Sequence, residues 1–145
     1  MRGKGFTFKQ FHIDHSKCAM KVGTDGTLIG AWASIPYGES SILDIGTGTG
    51  LIAIMAAQRA PQAQVIGIDI DSDCIEQALE NVAASPWSDR ISIVHKPLQE
   101  FSSSKVLDVI ISHHPILLIH SPLPTKNAPL QGILPHYPST IYATV

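Results

Sequence analysis

Cysteine is scarce in this chain and carries no pattern. Cys18 and Cys74 stand in unrelated contexts with no Cys-x-x-Cys spacing. That excludes a zinc ribbon or a multi-disulfide scaffold, and the two read as reduced thiols of a cytosolic protein. Long apolar runs are also missing. None approaches the roughly 18 residues of a membrane span, and the basic start at Arg2 and Lys4 meets no continuous apolar stretch of the signal-peptide kind. A soluble, cytoplasmic protein is the expectation. Charge is thin as well: 15% of the 145 residues are charged and they sum to -2, so no broad nucleic-acid footprint surrounds the molecule. The basic residues at the start, Arg2, Lys4, Lys9, Lys17 and Lys21, mark where a local patch would lie. Against these absences, 44% hydrophobic residues at this length predict one domain with a real core.

What the chain does have is one highly organised stretch. An apolar run over residues 42–45 ends in alternate glycines, Gly46, Gly48 and Gly50, and apolar residues at Leu51, Ile52, Ile54, Met55 and Ala56 follow at once. This predicts a buried strand, a turn stripped of side chains and a helix start. Glycine permits positive φ and close approach of a ligand to the backbone, and a helix N-terminus offers unspent N–H groups.

The rest of the chain fits around that corner. Residues 6–13, with Phe6, Phe8 and Ile13, predict an edge strand, and the segment from Gly23 to Gly26 predicts a turn before a helix over 27–34. A second strand over 64–71 carries Asp69 about 20 residues past the glycines, where a doubly wound fold puts an acid at the neighbouring strand end. A helix is predicted over 72–84, with Ile75, Ala78, Leu79 and Val82 as its buried face. Further strands are predicted over 91–94 and 107–111. Alternating strands and helices argue for a Rossmann-like, doubly wound, mainly parallel α/β sheet with helices on both faces. The glycine corner, Asp69 and the segment after Ile111 then open onto one sheet edge.

Residues 113–145 differ. Pro115, Pro122, Pro124, Pro129, Pro135 and Pro138 interrupt short runs that have no period, and proline breaks both helices and ladders. The sheet is therefore expected to be incomplete at its C-terminal side. The chain divides into an N-terminal segment, 1–36, a partial core, 37–112, and an irregular tail, 113–145.

The glycine spacing sets two ligand classes aside. Dinucleotide enzymes place the last glycine three residues after the second, whereas Gly50 follows Gly48 by two, and no Gly-Lys-Ser/Thr is present for a Walker loop. The string Asp44-Ile45-Gly46-Thr47-Gly48-Thr49-Gly50, with Asp69 downstream, resembles the first motifs of class I S-adenosylmethionine-dependent methyltransferases. The resemblance implies that Asp44, Gly46, Thr47, Gly48 and Gly50 hold the methionine end of S-adenosylmethionine and that Asp69 holds its ribose hydroxyls. A longer resemblance covers 6–112. The run from Phe8-Lys9-Gln10-Phe11-His12 to Gly26, the Leu28–Trp32 segment, Glu80-Asn81-Val82 through Ser85-Pro86-Trp87, and Arg90-Ile91 resemble the bacterial valine-tRNA adenine-N6 methyltransferases. This implies methylation of the adenine beside the anticodon of valine tRNA, with tRNA as partner and with the basic cluster, Phe8 and Phe11 as candidate RNA contacts.

The departures from that family bear on activity. Its members carry Asn-Pro-Pro-Tyr after the fourth strand, an amide and a ring that hold the flipped base. Here Asp108-Val109-Ile110-Ile111-Ser112 leads instead into His113-His114-Pro115-Ile116. No catalytic residue is expected to be intact. Pro97 stands where relatives carry an acid that reads the cofactor adenine. Adjacent histidines diverge and no third ligand is spaced for them, so no metal site is expected. The genetic code suggests a cause: residues 114–117 can be encoded by CAC CCT ATT TTx, and the same bases read one nucleotide earlier permit Pro-Pro-Tyr-Phe. The same shift across residues 128–137 permits the Arg-x-x-Ala-Arg-(His/Tyr)-Thr-x-x-Leu segment that follows the catalytic motif in the family. The tail thus reads as out of frame, which leaves two further readings: a non-catalytic cofactor- or RNA-binding remnant, or a methyltransferase of another substrate.

Overall fold

A computed structural model describes residues 4–113. Of the tail expected to be irregular, 113–145, all but His113 lies outside the described residues, as does Arg2. The central sheet has four strands: β3 (Ser40–Ile45), β4 (Ala63–Asp69), β5 (Ile91–His95) and β6 (Val109–Ser112), in the order β5-β4-β3-β6. All three pairings are parallel, with Ile45 opposite both Ile68 and Ser112, and Asp69 opposite His95. The carboxyl ends of the strands therefore share one edge. Strands β4 and β5 extend to one side of β3 and the chain then returns to place β6 on the other, which is the order reversal at which doubly wound sheets bind ligands.

Alternation along β3 sends Ile42 and Leu43 to opposite faces. Ile42, Val65, Ile91, Val109 and Ile111 join one core with helix α2 (Leu51–Arg59) and with Val82 of helix α3 (Ser72–Ala84). Helix α1 (Thr24–Trp32) packs on α2. Leu43, Ile68 and Ile110 form the second core, covered by Leu98, Phe101 and Leu107 of the segment between β5 and β6. A helix layer on that second face is not among the described residues.

Three local expectations are corrected. The segment 6–13 is not one edge strand but a small antiparallel hairpin, β1 (Gly5–Thr7) with β2 (His12–Asp14), forming a sheet of its own. The Gly23–Gly26 stretch is not a turn, because α1 starts at Thr24 and ends at Trp32. Further along α1, a Cβ on Gly30 would lie 2.5 Å from Met55 Sδ and 3.2 Å from Met55 Cβ of α2, so the missing side chain lets the two helices approach closely. On α3, Leu79 is 49% exposed while Gln77 and Asn81 are buried, so the inner face of the helix is partly polar.

Two arginines tie α2 to its surroundings. Arg59 donates to the carbonyls of Gly30, in the last turn of α1, and Ala33, its C-cap. Arg90 donates to the carbonyls of Ala57 and Ala60 at the end of α2 and of Ala63 at the start of β4, joining the two elements. Replacing Arg90 by methionine is expected to lower stability by about 2–3 kcal/mol, since charged hydrogen bonds to part-buried carbonyls are lost. Urea unfolding followed by circular dichroism checks it, with an unchanged midpoint as the contrary result.

Candidate functional site

The turn between β3 and α2 is built almost wholly from backbone. Gly46, Gly48 and Gly50 have φ of 68°, 55° and 82°, a region where a side chain is strained. The amides of Gly46 and Thr47 both donate to Ile68 O at 2.9 Å, and Gly50 N donates to Thr47 O at 2.8 Å. Asp69, at the end of β4, closes the circle: its Oδ2 accepts from Gly48 N at 2.8 Å and its Oδ1 from Asp71 N at 3.0 Å. Asp71 in turn caps α3 by accepting from the amides of Asp73 and Cys74. Strand end, glycine turn and helix start form one hydrogen-bonded unit.

Two cavities flank the turn. One, about 480 Å³, lies over the ends of β3 and β4 and is lined by Gly46, Gly48, Asp69 and Ile70, with Cys18 and Lys96 opposite. The other, about 600 Å³, lies over the ends of β3 and β6 between the turn, residues 20–26 and His113. Of the residues singled out from sequence, Gly46 and Gly48 line both cavities, Thr47 lines the second and Asp69 the first. Gly50 sits under the turn, where a Cβ would lie 3.5 Å from Ala78 of α3.

Asp44 lines neither cavity. It is 1% exposed, its Oδ2 accepts from Thr47 Oγ1 at 2.7 Å, and its Oδ1 has no hydrogen-bond partner among the described residues. Burial pushes its carboxyl up to about 7, with the Asp69 charge acting in the same direction and the Thr47 hydroxyl and Ala53 amide opposing. Its side chain therefore acts on the shape of the turn, through Thr47.

The N-terminal segment supplies the outer wall. Asn81 and Gln77, one helical turn apart on α3, reach across to residues 14–17. Lys17 pairs with Glu76 and Glu80 at 2.6 Å each, and Lys21 donates to the carbonyls of His15 and Cys18. Two of the five basic residues proposed as a patch are thus engaged within the protein, while Lys4 and Lys9 remain exposed. The aromatic candidates divide too: Phe8 and Phe11 stack at 4.6 Å, and Phe11, buried, meets Trp87 edge-on.

The reading of Cys18 and Cys74 as reduced thiols is overturned. They form a disulfide, with Cα atoms 4.7 Å apart across 56 residues of sequence, joining the N-terminal wall to the first turn of α3. Residues this remote in sequence are brought together only by the docking of the N-terminal segment, which no spacing rule reveals. Closing so long a loop restricts the unfolded chain. Reduction is expected to cost about 2–3 kcal/mol. A Cys18→Ser/Cys74→Ser variant should unfold at the same temperature with and without reductant, unlike the parent. Equal melting of the parent in both conditions would count against the bridge.

A four-stranded parallel sheet with a glycine turn at its order reversal and an acid on the next strand is the arrangement of a Rossmann-like ligand site. Residues 42–131 match the family described as "Methyltransferase domain", and the chain belongs to that family. Its curated relatives narrow the comparison. Over 110 residues the chain is 54% identical to the tRNA1(Val) (adenine(37)-N6)-methyltransferase of Phocaeicola vulgatus, covering 76% of this chain and 46% of that protein. Over 115 residues it is 49% identical to the enzyme of the same name from Aeromonas hydrophila, covering 79% and 48%. The chain spans about half the length of these relatives. Among solved structures, a SAM-dependent methyltransferase from Thiobacillus denitrificans in complex with S-adenosyl-L-homocysteine shares the fold, with a TM-score of 0.53 at 21% identity over 68% of this chain and 38% of that one.

Proposed function

We propose that this chain holds S-adenosylmethionine across the glycine turn, with the methionine end against Gly46, Thr47 and Gly48 and the ribose at Asp69. The observation that carries the proposal is the bond between Asp69 and Gly48, which holds an acid and a bare turn on one cavity wall. The residues fit such a ligand. A Cβ at Gly46 would meet nothing within 4 Å, so the backbone there is open to close approach. Each Asp69 oxygen accepts one protein N–H and keeps a lone pair for a ribose hydroxyl. A cavity of about 480 Å³ is in the size range of cofactor sites. Bound there, S-adenosylmethionine supplies an electrophilic methyl group.

The substrate class proposed is tRNA, and specifically the N6 amine of the adenine beside the anticodon of valine tRNA, on the strength of the resemblance over residues 6–112 and of the relatives' names. The cavity beside His113 is the natural place for the base, since it opens on the far side of the turn from Asp69. Transfer by this chain is impaired in our reading. Where the family has an amide to accept from the exocyclic amine and a ring to stack on the base, the sequence offers His113, His114, Pro115 and Ile116. That substitution favours a second reading, a cofactor- or RNA-binding remnant without transfer activity. The proposed setting is the cytoplasm, on the strength of the proposed tRNA substrate alone, because the Cys18–Cys74 bridge removes the argument from reduced thiols. No helix among the described residues is long and apolar enough to cross a membrane.

Calorimetry with S-adenosylhomocysteine tests the first step, with binding expected. Transfer of labelled methyl to unmodified valine tRNA tests the second; none is expected, and robust turnover would overturn the impairment. Sequencing of the locus decides whether residues from about 113 onward are out of frame.

A further inference from the structure

Asn81 is a polar side chain buried where the hydrophobic pattern calls for none. It is 4% exposed on the inner face of α3. Its Oδ1 accepts from Asp14 N at 3.0 Å, and its Nδ2 donates to Asp14 O and to Thr49 O, both at 2.8 Å. Both amide hydrogens are thereby spent on main-chain carbonyls, and one side chain of α3 bonds two other parts of the chain, the end of β2 and the glycine turn. Burying a primary amide is unfavourable unless it is satisfied in this way. An apolar residue of similar size would pack there without linking anything.

The Thr49 bond is the informative one. Thr49 precedes Gly50, the left-handed residue from which α2 starts, and its carbonyl faces α3 instead of the cavities. The other end of the turn is held by Ile68 O and by Asp69, both on β4. Asn81 is thus the fastening of the turn on its α2 side. Its Asp14 bonds hold the start of the wall segment, whose later residues Cys18 and Met20 line the cavity containing Asp69.

We propose that Asn81 is a positioning residue for the cofactor turn: by donating to Thr49 O while clasping Asp14, it sets the turn and the N-terminal wall at a fixed separation. This rests on the reading of the turn as the S-adenosylmethionine site. A site that is pre-formed loses less free energy to ordering when its ligand arrives, so loosening the clasp weakens binding without removing any group that touches the ligand.

The test compares Asn81→Ala, Asn81→Asp and Val82→Ala in the full chain. The aspartate matches the native side chain in size and still accepts from Asp14 N, but when ionised it cannot donate to either carbonyl. Val82→Ala is the stability control, since Val82 belongs to the main core and makes no bond to the turn. Two readouts are taken well below the melting temperature: hydrogen exchange of peptides spanning residues 14–18 and 46–50, and calorimetric affinity for S-adenosylhomocysteine. Both Asn81 variants are expected to exchange faster in both peptides and to bind about tenfold more weakly or worse, while Val82→Ala melts lower yet keeps parental exchange and affinity. Parental exchange at 46–50 in Asn81→Asp, or the same losses in Val82→Ala, would overturn the proposal. Should the parent itself bind no S-adenosylhomocysteine, the cofactor reading and the positioning role toward it both fail, whereas parental binding with unchanged Asn81 variants removes the role of Asn81 alone.

Discussion

Asp69→Ala is expected to weaken the affinity for S-adenosylhomocysteine by about 100-fold or more, with circular dichroism unchanged. Two losses combine. The carboxylate is the charged acceptor proposed for both ribose hydroxyls, and charged hydrogen bonds contribute about 1.5–3 kcal/mol each. It is also the acceptor for Gly48 N at 2.8 Å, so its removal releases the turn at its midpoint. Asp69→Asn keeps one oxygen and removes the charge, and a smaller loss of roughly tenfold is expected. The ordering of the three proteins is the measurement: parent tightest, then asparagine, then alanine. Parental affinity in the alanine variant would put the ribose elsewhere.

Asp44→Asn is expected to act in the opposite sense, on stability and mainly at high pH. The folded carboxyl sits at about 7 against an ordinary 3.8. Between those values the unfolded chain gives up the proton while the folded chain keeps it, so the unfolded state binds fewer protons and stability falls as pH rises. The contribution is whole below the unfolded value and is lost as pH passes through the folded one. Asparagine does not titrate and can still accept from Thr47. Its stability relative to aspartate should therefore increase by a few kcal/mol between ~pH 4 and ~pH 8. Urea unfolding of both proteins across that range checks this, and parallel curves would contradict it. Affinity for S-adenosylhomocysteine should change less than about threefold, because the side chain lines neither cavity. A loss of two orders of magnitude would mean that Asp44 reaches the ligand after all.

How far the sequence could be read depended on whether the deciding interaction was local. Strand β3, the glycine turn and α2 follow one another within residues 40–59, and their apolar runs and glycines state the design directly. Asp69 was legible because a parallel neighbour must end at the same sheet edge. The start of α1 is not legible because Gly23 and Gly26, which suit a turn, are equally at home at a helix start, Gly23 as its N-cap and Gly26 against Leu51. Leu79 fits the apolar period yet lies half exposed, and Asn81 falls outside it, because apolar periodicity does not register a polar residue buried by its hydrogen bonds. The disulfide stayed hidden for a related reason: its two halves meet only through the docking of residues 14–18 on α3.

That docking has a consequence for the order in which the molecule assembles. The bonds from Asp14, Ser16 and Lys17 to α3 span 59–67 residues, whereas the bond from Gly48 to Asp69 spans 21. Contacts across long loops form late, since the closure entropy must be met before they contribute. During synthesis residues 14–17 leave the ribosome before α3 and must therefore wait, undocked, until it has been made. The glycine turn can take shape around β3 and β4 in the meantime, and the wall closes over it last, so a segment translated before the turn completes the cavity.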